Sequence, residues 1–259
     1  MKLPLWQVDA FASQRFKGNP AAVVPLSGWL PDATLQAIAA ENNLAETAYF
    51  VPHGDDYAIR WFTPAQEVPL CGHATLASAW VVLNRLDGER ARVTFHSQSG
   101  PLTVTRDGER LAMDFPSIPP GPVTAHPALV ETLRAKPAAL HEGYQWFAVY
   151  ESEEQVRALQ PDFAALGALP LHGVIATAPG RDCDYVSRFF APSAGIDEDP
   201  ATGSAQCRLV PYWAGKLGKP KLHARQLSSR GAEFWCELKG DRVLMAGHVA
   251  PYLEGTIEI

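Results

Sequence analysis

The chain repeats itself once, and that repetition bounds the folds open to it. Arg60-Trp61-Phe62-Thr63-Pro64 returns as Arg188-Phe189-Phe190-Ala191-Pro192, an offset of 128 residues. Leu30-Pro31-Asp32 is echoed by Gln160-Pro161-Asp162 at 130, and Gly72-His73-Ala74 by Gly203-Ser204-Ala205 at 131. Asp107-Gly108-Glu109-Arg110-Leu111 lines up with Lys239-Gly240-Asp241-Arg242-Val243 at 132. One such match arises by chance, but four in the same order define two similar halves. In a chain of 259 residues each half has the size of a small domain. The proline-rich segment Pro116–Pro122 is the natural joint, giving a first half over 1–118 and a second over 119–259.

Within the first half, Val8 to Val24 reads as strand, turn, strand, with Lys17-Gly18-Asn19-Pro20 as the turn. Pro31-Asp32 opens a helix carrying Leu35, Ile38 and Ala39 on one face and running to about Asn43. Strands follow at Thr47–Val51 and Tyr57–Phe62, then a loop and a helix from Gly72 to Leu86. That helix is apolar almost all round, which marks it as buried. Two strands joined by the Asp107-Gly108 turn, around Val93–Phe95 and Leu102–Phe115, close the half. The pattern predicts an α+β class, each half a mostly antiparallel sheet wrapped around a central helix.

Composition excludes several classes of function. Hydrophobic residues make up 47% and charged residues 19%, so the chain buries a core and is not globally disordered. With 22 Lys+Arg against 28 Asp+Glu the net charge is −6, which argues against a nucleic-acid partner. No signal-peptide core is expected at Met1–Asp9, and the apolar run Ala74–Leu83 is far short of the roughly 20 residues a membrane span needs. Cys71, Cys183, Cys207 and Cys236 are scattered, without a C-x-x-C pair, which points to a reducing cytoplasm. The eight histidines lack metal-ligand spacing, so no metal site is expected.

The loop before each central helix runs into a glycine-led start, Pro69-Leu70-Cys71-Gly72-His73-Ala74 and Pro200-Ala201-Thr202-Gly203-Ser204-Ala205. Helix N-termini present unpaired N–H groups and partial positive charge, so both starts suit a small carboxylate, and a cleft between the halves would bring them together. The blander reading is a tight turn at each glycine, with His73 or Ser204 merely capping.

Asn43-Leu44-Ala45-Glu46-Thr47-Ala48, Pro69-Leu70-Cys71-Gly72-His73-Ala74-Thr75, Arg188-Phe189-Phe190-Ala191-Pro192 and Asp199-Pro200-Ala201-Thr202-Gly203-Ser204-Ala205 together resemble the phenazine-biosynthesis (PhzF-like) isomerases. Phe16-Lys17-Gly18-Asn19-Pro20-Ala21-Ala22-Val23 and Pro211-Tyr212-Trp213-Ala214 are similar too, so the resemblance spans nearly the whole chain. It implies a diaminopimelate-epimerase-like fold, no cofactor, a homodimer, and movement of a proton within a small unsaturated cyclic carboxylic acid.

The resemblance assigns Glu46 as general acid/base. That task favours a carboxylate sheltered enough from water to titrate above its usual range, and Leu44, Ala45, Ala48, Tyr49 and Phe50 supply apolar neighbours. The counterpart of Glu46 falls near Gly173, so the duplication supplies no second carboxylate there. Asp199 resembles the family's second carboxylate, binding a polar substituent of the substrate or positioning His73. Its alternative is a solvated member of the run Asp197-Glu198-Asp199. His73 and Ser204 would bind substrate polar groups, with His73 also relaying protons, and Gly72 and Gly203 would let the backbone approach closely. Cys71 and Thr202, equivalent by the 131-residue offset, complete the candidate substrate contacts.

Two rival functions stay open. One is a cysteine-dependent amino-acid racemase or epimerase using Cys71, for which the duplication supplies Thr202 rather than a second thiol. The other is a non-catalytic carboxylate-binding protein on the same scaffold. Arg208 departs from the apolar start expected of a buried helix, so it is either paired with a carboxylate or pointed toward the cleft or the interface of the halves.

Overall fold

A computed structural model describes residues 1–259. The chain forms two units, Met1–Asp114 with Ala246–Ile259, and Phe115–Met245.

The first unit contains β1 (Lys2–Ala10), β2 (Asn19–Pro25), α1 (Asp32–Asn42), β3 (Glu46–His53), β4 (Asp56–Phe62), β5 (Glu67–Val68), α2 (Gly72–Val81), β6 (Arg92–Ser97), β7 (Gly100–Asp107) and β8 (Arg110–Pro116). As its composition requires, α2 is buried on nearly every face, and it continues as one π-type turn over Val82–Leu86. It packs against β1, β2, β3 and β7. The opposite sheet face is covered by α1, whose Leu35, Ile38 and Ala39 meet Ala22, Val24, Tyr49, Val51 and Phe62. Buried on both faces, β2 and β3 read as nearly continuous apolar runs. The β1–β2 connection depends on Gly18, at φ +64°, where a Cβ would lie 2.1 Å from the Ala10 carbonyl oxygen.

The second unit contains α3 (Pro127–Leu133), β9 (Ala139–His141), β10 (Trp146–Val149), α4 (Glu153–Ala158), α5 (Phe163–Gly167), β11 (Val174–Pro179), β12 (Tyr185–Ala191), β13 (Ile196–Glu198), α6 (Gly203–Leu217), β14 (Lys221–Gln226), β15 (Ala232–Lys239) and β16 (Arg242–Gly247). Its pairing order copies the first: β10–β11 is parallel as β2–β3 is, and β12–β14 is parallel as β4–β6 is. The buried face of α6 includes Ala205, Cys207, Leu209, Val210, Trp213 and Ala214. Trp213 stacks on Tyr185 and donates its indole N–H to the Thr177 hydroxyl at 2.9 Å. Three short helices, α3 to α5, bury Leu129, Leu133, Val156 and Leu166 against Ala148, Val174, Ala176 and Phe190.

Two expectations need correction. The second half does not keep all of 119–259, because the C-terminal strand Val249–Glu258 pairs along the whole of β1 in the first unit. That pairing satisfies the outer backbone edge of β1, whose other side is taken by β2. And three strands, not two, close the first half, because Gly100 at φ +95° turns the chain between β6 and β7.

Candidate active site

Two separate stretches of the first unit, the turn from α1 into β3 and the start of α2, meet here. Helix α1 ends at Asn43, which adopts the left-handed conformation (φ 46°) that asparagine tolerates. The chain then turns into β3, and the Asn42 side-chain amide donates to the Thr47 hydroxyl at 3.1 Å. Glu46, the first residue of β3 and opposite Ala21 of β2, is thereby fixed with its side chain only 14% exposed. Its Oε2 lies 3.0 Å from His73 Nε2. The two atoms form a close charge contact that is not an aligned N–H···O hydrogen bond. On the other edge of the ring, Nδ1 lies 3.5 Å from Cys71 Sγ.

Electrostatics follows from this packing. Burial alone would lower the His73 pKa, but Cys71 and Glu46 outweigh it and hold it well above the usual histidine value. Burial, then the Glu46 carboxylate, pushes the Cys71 thiol up. The three ligand-type atoms lie within 4.8 Å of one another. His73, however, faces Cys71 and Glu46 through opposite ring nitrogens, so neither nitrogen faces both of the other two groups. No side chain caps α2, so its first N–H groups stay open to an anion.

The second unit builds its helix start differently. Thr202 directs its hydroxyl to Asp199 Oδ2 instead of capping α6. Gln226, 1% exposed, clamps the same loop. Its Oε1 accepts from the Thr202 N–H at 2.8 Å, and its Nε2 donates to the Asp199 carbonyl at 2.7 Å and to Thr202 Oγ1 at 3.1 Å. Ser204 is exposed and accepts from Gln145 Nε2 at 3.1 Å. At Gly203 a Cβ would meet Met245 at an ordinary 3.6 Å, so the protein's own packing does not demand glycine there. Sequence reasoning missed Gln226 and Gln145. The alternation Leu222, Ala224, Gln226 on the buried face of β14 is the signal that finds Gln226.

The repeated Arg-aromatic-Phe-x-Pro motif is a brace beneath each helix start. Arg60 grips Glu67 at 2.8 and 2.7 Å, and Arg188 grips Glu198 at 2.7 and 2.8 Å, both two-pronged. Of the acidic run, Glu198 is thus structural, Asp199 belongs to the helix-start network, and Asp197 is exposed. Arg208 has no carboxylate partner; partial burial lowers its pKa, and one guanidinium nitrogen lies 3.0 Å from where a Cβ of Gly143 would stand.

A duplicated sheet-around-helix unit, with a carboxylate, an imidazole and a thiol gathered at one helix start, is the epimerase-like scaffold. A solved hydroxyproline epimerase from Agrobacterium vitis, with trans-4-hydroxy-L-proline bound to it, shares the fold at a TM-score of 0.61 and 13% identity, over 99% of this chain and 92% of that one. A family model described as phenazine biosynthesis-like protein matches residues 8–255, so the chain belongs to that family. A Pseudomonas aeruginosa protein named an uncharacterized isomerase is 51% identical over the full length of both. A crystal structure of a PhzF-family phenazine biosynthesis protein from Enterococcus faecalis superposes with a TM-score of 0.98, at 46% identity and full coverage of both chains. The enzyme is a PhzF-like isomerase.

Proposed function

We propose that the enzyme moves a proton within a small unsaturated cyclic carboxylic acid, without a cofactor, with Glu46 as general acid/base. The observation that carries this reading is the sheltered 3.0 Å contact between Glu46 Oε2 and His73 Nε2. The Glu46 carboxylate takes a proton from one substrate carbon, the C–H electron pair spreads into the unsaturated system, and the proton returns to a different carbon, restoring the carboxylate. Once Glu46 is neutral, its attraction for the imidazole ring falls, and the His73 N–H stabilises the electron-rich intermediate by hydrogen bonding until Glu46 returns its proton. The open N–H groups at Gly72 and His73 bind the substrate carboxylate. Asp199, held by Thr202 and Gln226, and Ser204, at the open start of α6, take the substrate's polar substituents, with Gly203 leaving the backbone accessible.

Burial of the Cys71 thiol speaks against a racemase that works through its thiolate. The four free cysteines support a reducing, cytoplasmic setting, and the family's homodimer is part of the proposal. No helix is long and apolar enough to cross a membrane.

The test is NMR in D2O with a panel of dihydroaromatic carboxylic acids and amino acids, wild type beside Glu46→Gln. Isomerisation or deuterium uptake that vanishes in Glu46→Gln is the expected result. Turnover that survives Glu46→Gln but is lost in Cys71→Ser transfers the role to the thiol. Binding without turnover of any compound, unchanged in Glu46→Gln, favours a carboxylate-binding protein.

A further inference from the structure

Proton transfer by Glu46 with His73 beside it gives Cys71 no chemical task, yet its side chain is buried against the imidazole. We propose that Cys71 is a positioning residue whose sulfur holds Nδ1 of His73 and so keeps the proton that does the work on Nε2, the nitrogen facing Glu46. This inference rests on the proposed pairing of Glu46 with His73.

Three observations support it. The sulfur lies 3.5 Å from Nδ1, and Glu46 lies 3.0 Å from Nε2, so the ring is held at both edges by different partners. Cys71 and His73 are 6% and 7% exposed, so water does not readily substitute for either contact. The Cys71 backbone is anchored, because its carbonyl accepts both the Thr75 hydroxyl at 2.6 Å and the Thr75 N–H at 3.2 Å.

The chemistry is that of tautomer control. An imidazolium has two N–H groups, and each needs an acceptor in a buried site. The sulfur can accept from Nδ1–H of the charged ring and, because burial pushes the Cys71 titration up, can donate its S–H to Nδ1 of the neutral ring. In the neutral ring the thiol S–H meets the Nδ1 lone pair, and the remaining proton stays on Nε2, facing Glu46. The duplication supports the pairing of roles. At the matching start of α6, serine replaces histidine and threonine replaces cysteine, and the threonine hydroxyl turns to Asp199 instead.

The experiment follows the His73 ring by 15N–1H NMR through a pH titration of wild type, Cys71→Ala and Cys71→Ser, with thermal unfolding as a check on the fold. Cys71 and Glu46 are the titratable groups facing the ring. In wild type the midpoint lies well above 6.5, and the neutral ring is the Nε2–H tautomer. In Cys71→Ala the midpoint is expected to move by about 1 pH unit, with a rise in the Nδ1–H tautomer. Cys71→Ser, whose shorter C–O bond leaves a weaker contact, is expected to fall between the two, and it keeps the test available if the alanine variant unfolds. A folded variant with the wild-type midpoint and tautomer overturns the role of Cys71. A wild-type midpoint at or below 6.5 overturns the Glu46–His73 pairing instead, so the two failures are distinguishable.

Discussion

The starts of α2 and α6 occupy equivalent places in two units of one topology, yet they solve the same local problem with different chemistry. Each follows a short hairpin braced by an arginine gripping a glutamate through both prongs, Arg60 with Glu67 and Arg188 with Glu198. Each leaves its first N–H groups without a side-chain cap. Beyond that they part. The first unit shelters a carboxylate, an imidazole and a thiol in one cluster, whereas the second ties Asp199, Thr202 and Gln226 to one another by hydrogen bonds. Duplication preserved the frame that holds a helix start in place, and the chemistry diverged in the few side chains that sit on that frame.

The largest expected effect separates the two starts directly. Glu46→Gln should lower turnover by about 10²–10⁴, the range for losing a general acid/base, while Gln226→Leu should leave the chemical step in place. Steady-state rates on whichever panel compound reacts check this, and equal losses would erase the contrast. Breaking a brace comes next, and here the units should behave alike. Arg188→Ala is expected to cost about 3–5 kcal/mol in denaturant unfolding, because it strands Glu198 and the Val156 and Leu159 carbonyls. Arg60→Ala should cost about 2 kcal/mol, since Arg60 is 20% exposed against 11% for Arg188 and its second partner, Asp32, lies at the surface.

Gln226→Leu should cost about 2 kcal/mol, leaving the Thr202 N–H without its acceptor, and that cost should not vary between pH 6 and 9. The first unit should differ. A raised His73 pKa means the stabilisation from its pairing with Glu46 is complete below the unfolded value of about 6.5. It is lost as pH rises through the higher folded value. The stability gap between wild type and His73→Gln should therefore shrink with rising pH, and a pH-independent gap would contradict the ion pair. The smallest effect is expected at Arg208, a partly buried cation with no carboxylate to lose. Arg208→Gln should change stability by under about 0.5 kcal/mol, checked by urea unfolding.

The duplicated frame was legible because its parts are local. The matched motifs carry the braces, and the periodicity of Leu35, Ile38 and Ala39 marks the buried face of α1. The apolar residues after Gly72 mark a helix buried all round. What escaped the sequence depends on distant pairing. Nothing in Val249–Glu258 says that it lies beside β1, since its partner stands about 250 residues away. The cluster is of the same kind. Glu46 and His73 were singled out by family resemblance, but only the fold brings β3 and the start of α2 to 3.0 Å. Gln226 was passed over because a lone glutamine near a strand end carries no chemical signature until its buried register is known.

The charged state of the first helix start is the claim on which this account turns, and it can be read without any substrate. NMR titration of the His73 ring in wild type and in Glu46→Gln tests it most directly. The account predicts a wild-type midpoint well above 6.5 that drops when the carboxylate is neutralised. A His73 that titrates at or below 6.5, or that is indifferent to Glu46→Gln, would contradict it.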